Sequence, residues 1–173
     1  EEQRKDLLRK VVEKVQCPVS YVNAVGGNDE LIFDGHSMSF DRNGDLITQS
    51  SSFQECIEVH DLGDSPIFEN QEVERMESLR KALVLGIRDY AGKSGFSKGL
   101  VGLSGGIDSA VTAALAVEAL GPGQVIGISL PSSISSGHSK DDARDLADNL
   151  GIEFHTLPIP VSYTHLTLPT TMW

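Results

Sequence analysis

A chain of 173 residues has room for one domain of ordinary size or for two incomplete ones, since domains commonly run to about 100–200 residues. With 39% hydrophobic residues and 17 Gly it has a globular composition, which excludes disordered and collagen-like classes. Its formal charge of −11, from 25 acids against 14 Lys and Arg, argues against a nucleic-acid or anionic-membrane partner, both of which need a clustered basic surface.

The opening EEQRKDLLRK reads like the middle of a helix and Glu1 is not Met, so the chain is expected to continue upstream. Over residues 4–15, Leu7, Leu8, Val11, Val12 and Val15 recur at helical spacing and predict one face of an amphipathic helix, stopped by Cys17-Pro18. Residues 19–25 read as a buried strand, 26–29 as a turn and 31–33 as another short apolar run. Residues 37–41 and 45–48 flank Arg42-Asn43-Gly44, whose Asn-Gly pair favours a tight hairpin. Residues 61–70 mix acids, Gly, Pro and Ser without periodicity and predict a linker. Beyond it Met76, Leu79, Leu83, Ile87 and Tyr90 mark a long amphipathic helix ending near Gly92 and Gly95.

Residues 100–103 form a short apolar strand running into Ser104-Gly105-Gly106-Ile107-Asp108-Ser109. An Ala- and Leu-rich helix follows over 110–120, closed by Gly121-Pro122-Gly123. Next come a strand over 125–130, a Ser-rich loop over 131–137, a helix over 139–150 that Ser139 and Asp142 open as a capping box, and a strand over 153–158. Strand starts 25 and 28 residues apart leave room for crossover helices, so this half reads as parallel βαβαβ with its ligand beyond the carboxyl ends of the strands. Residues 161–173 (VSYTHLTLPTTMW) break the rhythm; they read as a translated adapter or assembly artefact, with a genuine Thr-rich loop as the alternative. No window approaches a membrane span and no signal pattern is present. Cys17 and Cys56 make neither a disulfide framework nor a zinc cluster, so a cytoplasmic location is expected.

The chemistry concentrates where the first parallel strand turns into its helix. Adjacent Gly105 and Gly106 let backbone approach a ligand closely, the helix start presents N–H groups and a positive dipole end, and Ser104 and Ser109 add hydroxyls. Neither a Walker-type GxxxxGKS/T nor a GxGxxG fingerprint is present, which leaves a short loop sized for a pyrophosphate. Asp108 among phosphate oxygens would be repelled unless a cation lay between, and Mg²⁺ is the natural bridge. The plainer alternative is that Asp108 and Ser109 only cap a helix.

At these residues the chain resembles the ATP-pyrophosphatase group, whose SGGxDS loop holds the part of ATP that leaves as pyrophosphate. Three segments in order, YVNAVGGNDELIFDG from Tyr21, GLSGGIDSAVTAALAVEALG and LPSSISSGHSKDDARDLADNLGIEF, are similar to the glutamine-dependent NAD⁺ synthetase family over nearly all of residues 1–160. The resemblance implies an α/β protein: the carboxyl-terminal end of a nitrilase-like α-β-β-α amidase sandwich over 1–60, a linker over 61–72, and over 73–160 the first βαβαβ of a doubly wound parallel sheet of the adenine nucleotide alpha-hydrolase type. It implies a reaction in which ATP adenylates deamido-NAD⁺, releasing pyrophosphate, and ammonia from glutamine displaces AMP to give NAD⁺. Carried over to matching positions, Gly102, Leu103, Ser104, Gly105, Gly106, Asp108 and Ser109 hold ATP, with Mg²⁺ on Asp108, and Leu130, Pro131 and Ser132 lie along the adenosine. A homo-oligomer is expected of the longer protein.

The family's glutamine-cleaving Glu, Lys and Cys lie upstream of the YVN-GGNDEL segment and are absent here, as are the later synthetase elements, so this chain alone is expected to be inactive. Cys17, at a helix end before Pro18, reads as a structural thiol. Ile134 stands where an aromatic is common in the family. Two other readings are weighed. Another amidotransferase-type ATP pyrophosphatase is disfavoured by the nitrilase-like YVN-GGNDEL segment, and a non-catalytic nucleotide-binding α/β module is disfavoured by SGGIDS. His36, His60, His138 and His155 lack metal-ligand spacing and read as surface or loop residues, and His165 falls in the tail. Asp29-Glu30 reads as part of a turn, and Asp141-Asp142 as acids at a helix start.

Overall fold

In the computed structural model, which describes residues 2–61, 74–131 and 137–159, the backbone contacts divide the chain after Lys93 into two units. The 62–72 part of the expected linker, residues 132–136 and the 161–173 tail lie outside the described residues.

The first unit opens with helix α1, Glu2–Val15. Leu8 and Val12 are buried in a cluster with Met38 and Phe40, while Leu7, Val11 and Val15 remain exposed. Two of the five residues of the predicted face are therefore buried, because one sheet covers only a stripe of a helix. That sheet is antiparallel, in the order β1 (Val19–Tyr21), β4 (Met38–Phe40), β5 (Leu46–Gln49); β2 (Val25–Asn28) and β3 (Leu31–Asp34) pair separately. At the β4–β5 turn Asp41 Oδ1 accepts from the backbone N–H of Asn43 and Asp45, both at 2.8 Å, and Gly44 takes φ +87°. The expected hairpin is present, built on an Asp41 side-chain turn rather than on a two-residue Asn-Gly loop.

The stretch 19–25 is not one strand. Between Tyr21 and Val25 the chain changes sheets, and Asn23 holds the crossing: its Nδ2 donates to Asp34 Oδ1 at 2.7 Å and to the Gly35 carbonyl at 2.8 Å. Arg4 Nη2 reaches both Asp34 oxygens, at 3.0 and 3.1 Å, so Asp34 ties α1, the crossing and β3 together. Asp34→Ala should remove one of the two Asn23 amide bonds and the carboxylate partner of the Arg4 guanidinium; because the ion pair is about 30% exposed, the expected loss is about 1–3 kcal/mol, read as a lower urea midpoint.

The turn expected at 26–29 sits instead at Asp29-Glu30, and Gly26 and Gly27 are strand residues. The reason is helix α2, Arg75–Lys93. Gly27 N donates to Asp89 Oδ2 at 2.7 Å and Lys93 Nζ donates to the Gly27 carbonyl. A Cβ on Gly86 would meet Ile32 Cδ1 at 2.9 Å, and one on Gly27 would press on Asp89 Cβ at 3.3 Å, so these glycines let α2 lie close to β2 and β3. The apolar stripe read from the sequence is only in part the packed side: Ile87 is half-buried, but Met76, Leu79, Leu83 and Tyr90 are exposed, whereas Val84 and Ala91, outside the stripe, are buried. Although the sequence reading puts α2 at the head of the second domain, its contacts are with β2 and β3, and it clusters with the first unit.

The second unit is a parallel sheet in the order β6 (Gly99–Gly102), β7 (Val125–Ser129), β8 (Glu153–Thr156). Helix α3, Ile107–Leu120, and helix α4, Gly137–Leu150, are its crossovers, and a 3-10 turn at Pro122–Gln124 leads into β7. Strands added in one direction by crossovers of one hand place their helices on one face. Accordingly Ala113 and Ala116 of α3, Ala143 and Ala147 of α4, and Leu103, Val125 and Ile152 form a single core. A doubly wound sheet needs both faces covered; the described helices of this unit cover one, and Leu100 on β6 is 67% exposed. Gly127 lies under the core, where a Cβ would sit 2.7 Å from Leu103 Cδ1. The expected capping box is not formed, since α4 begins at Gly137 and Ser139 lies inside its first turn.

Candidate functional site

Leu103 follows β6, is 2% exposed, and donates its N–H to the Ile128 carbonyl at 2.8 Å. This bond extends the pairing one residue past the strand and sets the point where loop 104–109 leaves the sheet. Gly105 takes φ +81°, and a Cβ there would fall on the Ser139 carbonyl oxygen and 2.8 Å from Ser139 Cα. Only glycine lets the first turn of α4 lie directly against the loop.

Helix α3 begins at Ile107, three residues earlier than expected, with Gly106 as N-cap at φ −94°, ψ 159° and no side-chain cap. Asp108 and Ser109 are therefore first-turn residues, and the reading in which they cap the helix is set aside. Ser109 Oγ donates to the Gly106 carbonyl at 2.8 Å and accepts from Ser104 N at 3.3 Å; Gly106 N donates to Ser104 Oγ at 3.2 Å. The two hydroxyls brace the loop, and the first-turn N–H groups of α3 have no side-chain cap, which is the kind of helix start that can receive an anion. Asp108 is exposed in that turn, and among the described residues only its carbonyl is engaged, accepting from Thr112 Oγ1 at 2.8 Å.

Beside the loop, at the carboxyl ends of β6 and β7, lies a cleft of about 340 Å³. It brings together five of the residues expected from sequence, Gly102, Leu103, Ser104, Leu130 and Pro131. Gly105, Gly106, Asp108 and Ser109 continue the loop beyond this lining, and Ser132 and Ile134 lie outside the described residues. Sequence reasoning missed four lining residues: Ile128, Ser129, Ser139 and Lys140. The first two follow from a strand end that the parallel reading had already located. The last two were legible only as the start of a helix, and it is the Gly105 contact that brings them to the cleft.

Among the described residues no group of three His, Cys, Asp or Glu side chains could hold a metal, and no helix is long and apolar enough to cross a membrane. Cys17 and Cys56 are exposed free thiols. His36 corrects the surface reading: it is in a loop but only 7% exposed, with Nε2 2.9 Å from Gln49 Nε2. His138 and His155 are exposed, and His155 meets Glu153 at 2.7 Å.

The NAD synthase family model matches residues 79–168, just over half of the chain. Over 170 residues the chain is 45% identical to a glutamine-dependent NAD(+) synthetase of Synechocystis sp., covering 94% of this chain and 30% of that protein. It is 38% identical to the protein of that name from Aquifex aeolicus, over 92% of this chain and 35% of the relative. A solved structure of glutamine-dependent NAD⁺ synthetase from Acinetobacter baumannii, in complex with adenosine diphosphate, matches with a TM-score of 0.85 at 34% identity, covering 92% of this chain and 31% of that one. The chain spans about a third of the length of the curated relatives it matches.

Proposed function

The chain belongs to the NAD synthase family, and on that premise we propose that it is the part of a glutamine-dependent NAD⁺ synthetase spanning the junction of its two domains. Residues 73–160 are the first half of the synthetase, the start of a doubly wound sheet, and residues 1–60 are the end of a nitrilase-like amidase, joined by the 61–72 linker. The layering of α1 on the β1-β4-β5 sheet supports the sandwich. The observation that carries the reading is the meeting of the SGGIDS loop, the uncapped start of α3 and a cleft at the ends of two parallel strands.

In this reading ATP lies with its adenosine along Leu130, Pro131 and Ser132 and over Gly102 and Leu103. Its phosphates reach the loop, where Gly105 and Gly106 allow close approach and the first-turn N–H groups of α3 face negative charge. Ser104 and Ser109 hold the loop in the shape that receives them. Asp108 fits a magnesium role: it is exposed, it has no ion pair among the described residues, and one carboxylate together with phosphate oxygens is the donor set that Mg²⁺ takes. Bound there, Mg²⁺ would neutralise charge on the departing pyrophosphate. The deamido-NAD⁺ carboxylate attacks the α-phosphorus of ATP, pyrophosphate leaves, and ammonia displaces AMP from the acyl-adenylate to form the amide. The whole enzyme works in the cytoplasm as a homo-oligomer, and the 173-residue chain alone should form no NAD⁺.

The test is made on the full-length protein with ATP and deamido-NAD⁺. Pyrophosphate and NAD⁺ should appear together with either glutamine or free ammonia as nitrogen source, and Cys17→Ser should change neither rate, since this thiol is exposed and remote in sequence from the SGGIDS loop. ATP turnover without pyrophosphate would reject the reading, and loss of only the glutamine-driven rate in Cys17→Ser would overturn the structural assignment of that thiol.

A further inference from the structure

We infer that Lys140 is the fixed positive charge of the cleft and binds the polyphosphate of a nucleoside triphosphate; the inference rests on the nucleotide reading of the cleft. Among the described residues that line it, Lys140 is the one ionisable side chain. Its position follows from the loop: the missing Cβ of Gly105 lets Ser139 abut the loop, and the next residue is Lys140. The cleft therefore has an apolar side, from Leu103, Ile128, Leu130 and Pro131, and a polar side on which Ser104, Ser139 and Lys140 meet.

The place is an unfavourable one for a resting cation. Lys140 stands in the first turn of α4, just ahead of Asp141 and Asp142, and a cation at a helix amino terminus opposes the dipole. Among the described residues no carboxylate pairs with it. An arriving anion relieves both conditions at once, because it faces the helix start and the ammonium together. In a chain of net charge −11, a polyphosphate is repelled at long range and needs such a local charge to be held. Lysine supplies it as a compact point charge, suited to a phosphate chain rather than to one planar group.

The inference predicts discrimination by charge. In equilibrium titrations of the full-length protein, Lys140→Ala should weaken ATP about tenfold, the effect of losing one charge-assisted contact, and leave adenosine unchanged. Lys140→Arg should keep ATP affinity close to wild type, and the fall of ATP affinity with added salt should be shallower in Lys140→Ala than in wild type. Equal ATP affinity in Lys140→Ala and wild type would overturn the assignment while leaving the nucleotide reading intact. An equal loss for ATP and adenosine would overturn it too, pointing to packing rather than charge. A wild-type protein that binds no nucleotide would overturn the nucleotide reading and this inference together.

Discussion

Gly105→Ala is expected to lower ATP affinity by at least about a hundredfold and to destabilise the protein by about 1–3 kcal/mol. Two independent costs meet at this residue. Its φ of +81° lies where a side chain adds about 1–2 kcal/mol, and the new methyl would overlap the Ser139 backbone. Backbone in the first turn of a helix cannot step aside alone, so α4 has to retreat from the loop. That retreat separates the Ser104 side of the cleft from the Ser139 side, which is why binding should suffer more than stability. Gly123→Ala is the matched control, since its Cβ would meet nothing within 4 Å and its φ is not positive. Thermal melts and ATP titrations of both variants give the comparison; a Gly105→Ala protein that binds ATP like wild type would show that the loop does not depend on this approach.

Asp108→Asn should reduce ATP-dependent amide formation in the full-length protein by about 10²–10³-fold while leaving glutamine hydrolysis measurable. The substitution keeps shape and removes only charge. It leaves the brace untouched, since Ser104, Gly106 and Ser109 bond to one another and not to the Asp108 carboxylate. In the proposed reading, what is lost is the carboxylate that would recruit Mg²⁺ to the phosphates, whose charge stabilisation in a phosphoryl-transfer transition state is worth several kcal/mol. The smaller loss of an acid from a helix start, about 0.3–1 kcal/mol, would appear in stability instead. Measuring pyrophosphate release across a magnesium titration separates the two effects. Wild-type rates at every magnesium concentration would reject the metal role of Asp108.

Helices and strands were read most securely where a single periodicity dominates. Leu8 and Val12, Ala113 and Ala116, and Val125 each fall in elements foreseen from spacing, and the parallel order β6-β7-β8 follows from strand starts too far apart for hairpins. The same reading erred where a residue serves two neighbours. Residues 19–25 look like one strand because Tyr21 and Val25 are both apolar, yet Asn23 crosses between sheets by bonding to Asp34 and Gly35, residues with which it has no local pattern. Gly26 and Gly27 look like a turn because turns use glycine; here glycine admits α2 instead.

The sequence by itself determined the chemistry of the loop. A strand, two glycines, two serines and an aspartate before a helix specify a tight strand-to-helix turn with free N–H groups at the helix start, the local chemistry on which the proposed anion site rests, because all of these groups come from one short segment. It also determined that α1 and α2 are amphipathic. Only the tertiary structure decided which side of each helix is used, because periodicity reports an apolar stripe and not the width or smoothness of the surface that meets it: β2 accepts the Gly86 side of α2 and leaves Leu79 and Leu83 exposed. Only the tertiary structure brought Ser139 and Lys140 to the cleft, across more than thirty residues of chain from Gly105. The decisive contact is between two backbones, and a backbone contact made possible by an absent side chain leaves no mark in the sequence beyond the glycine itself.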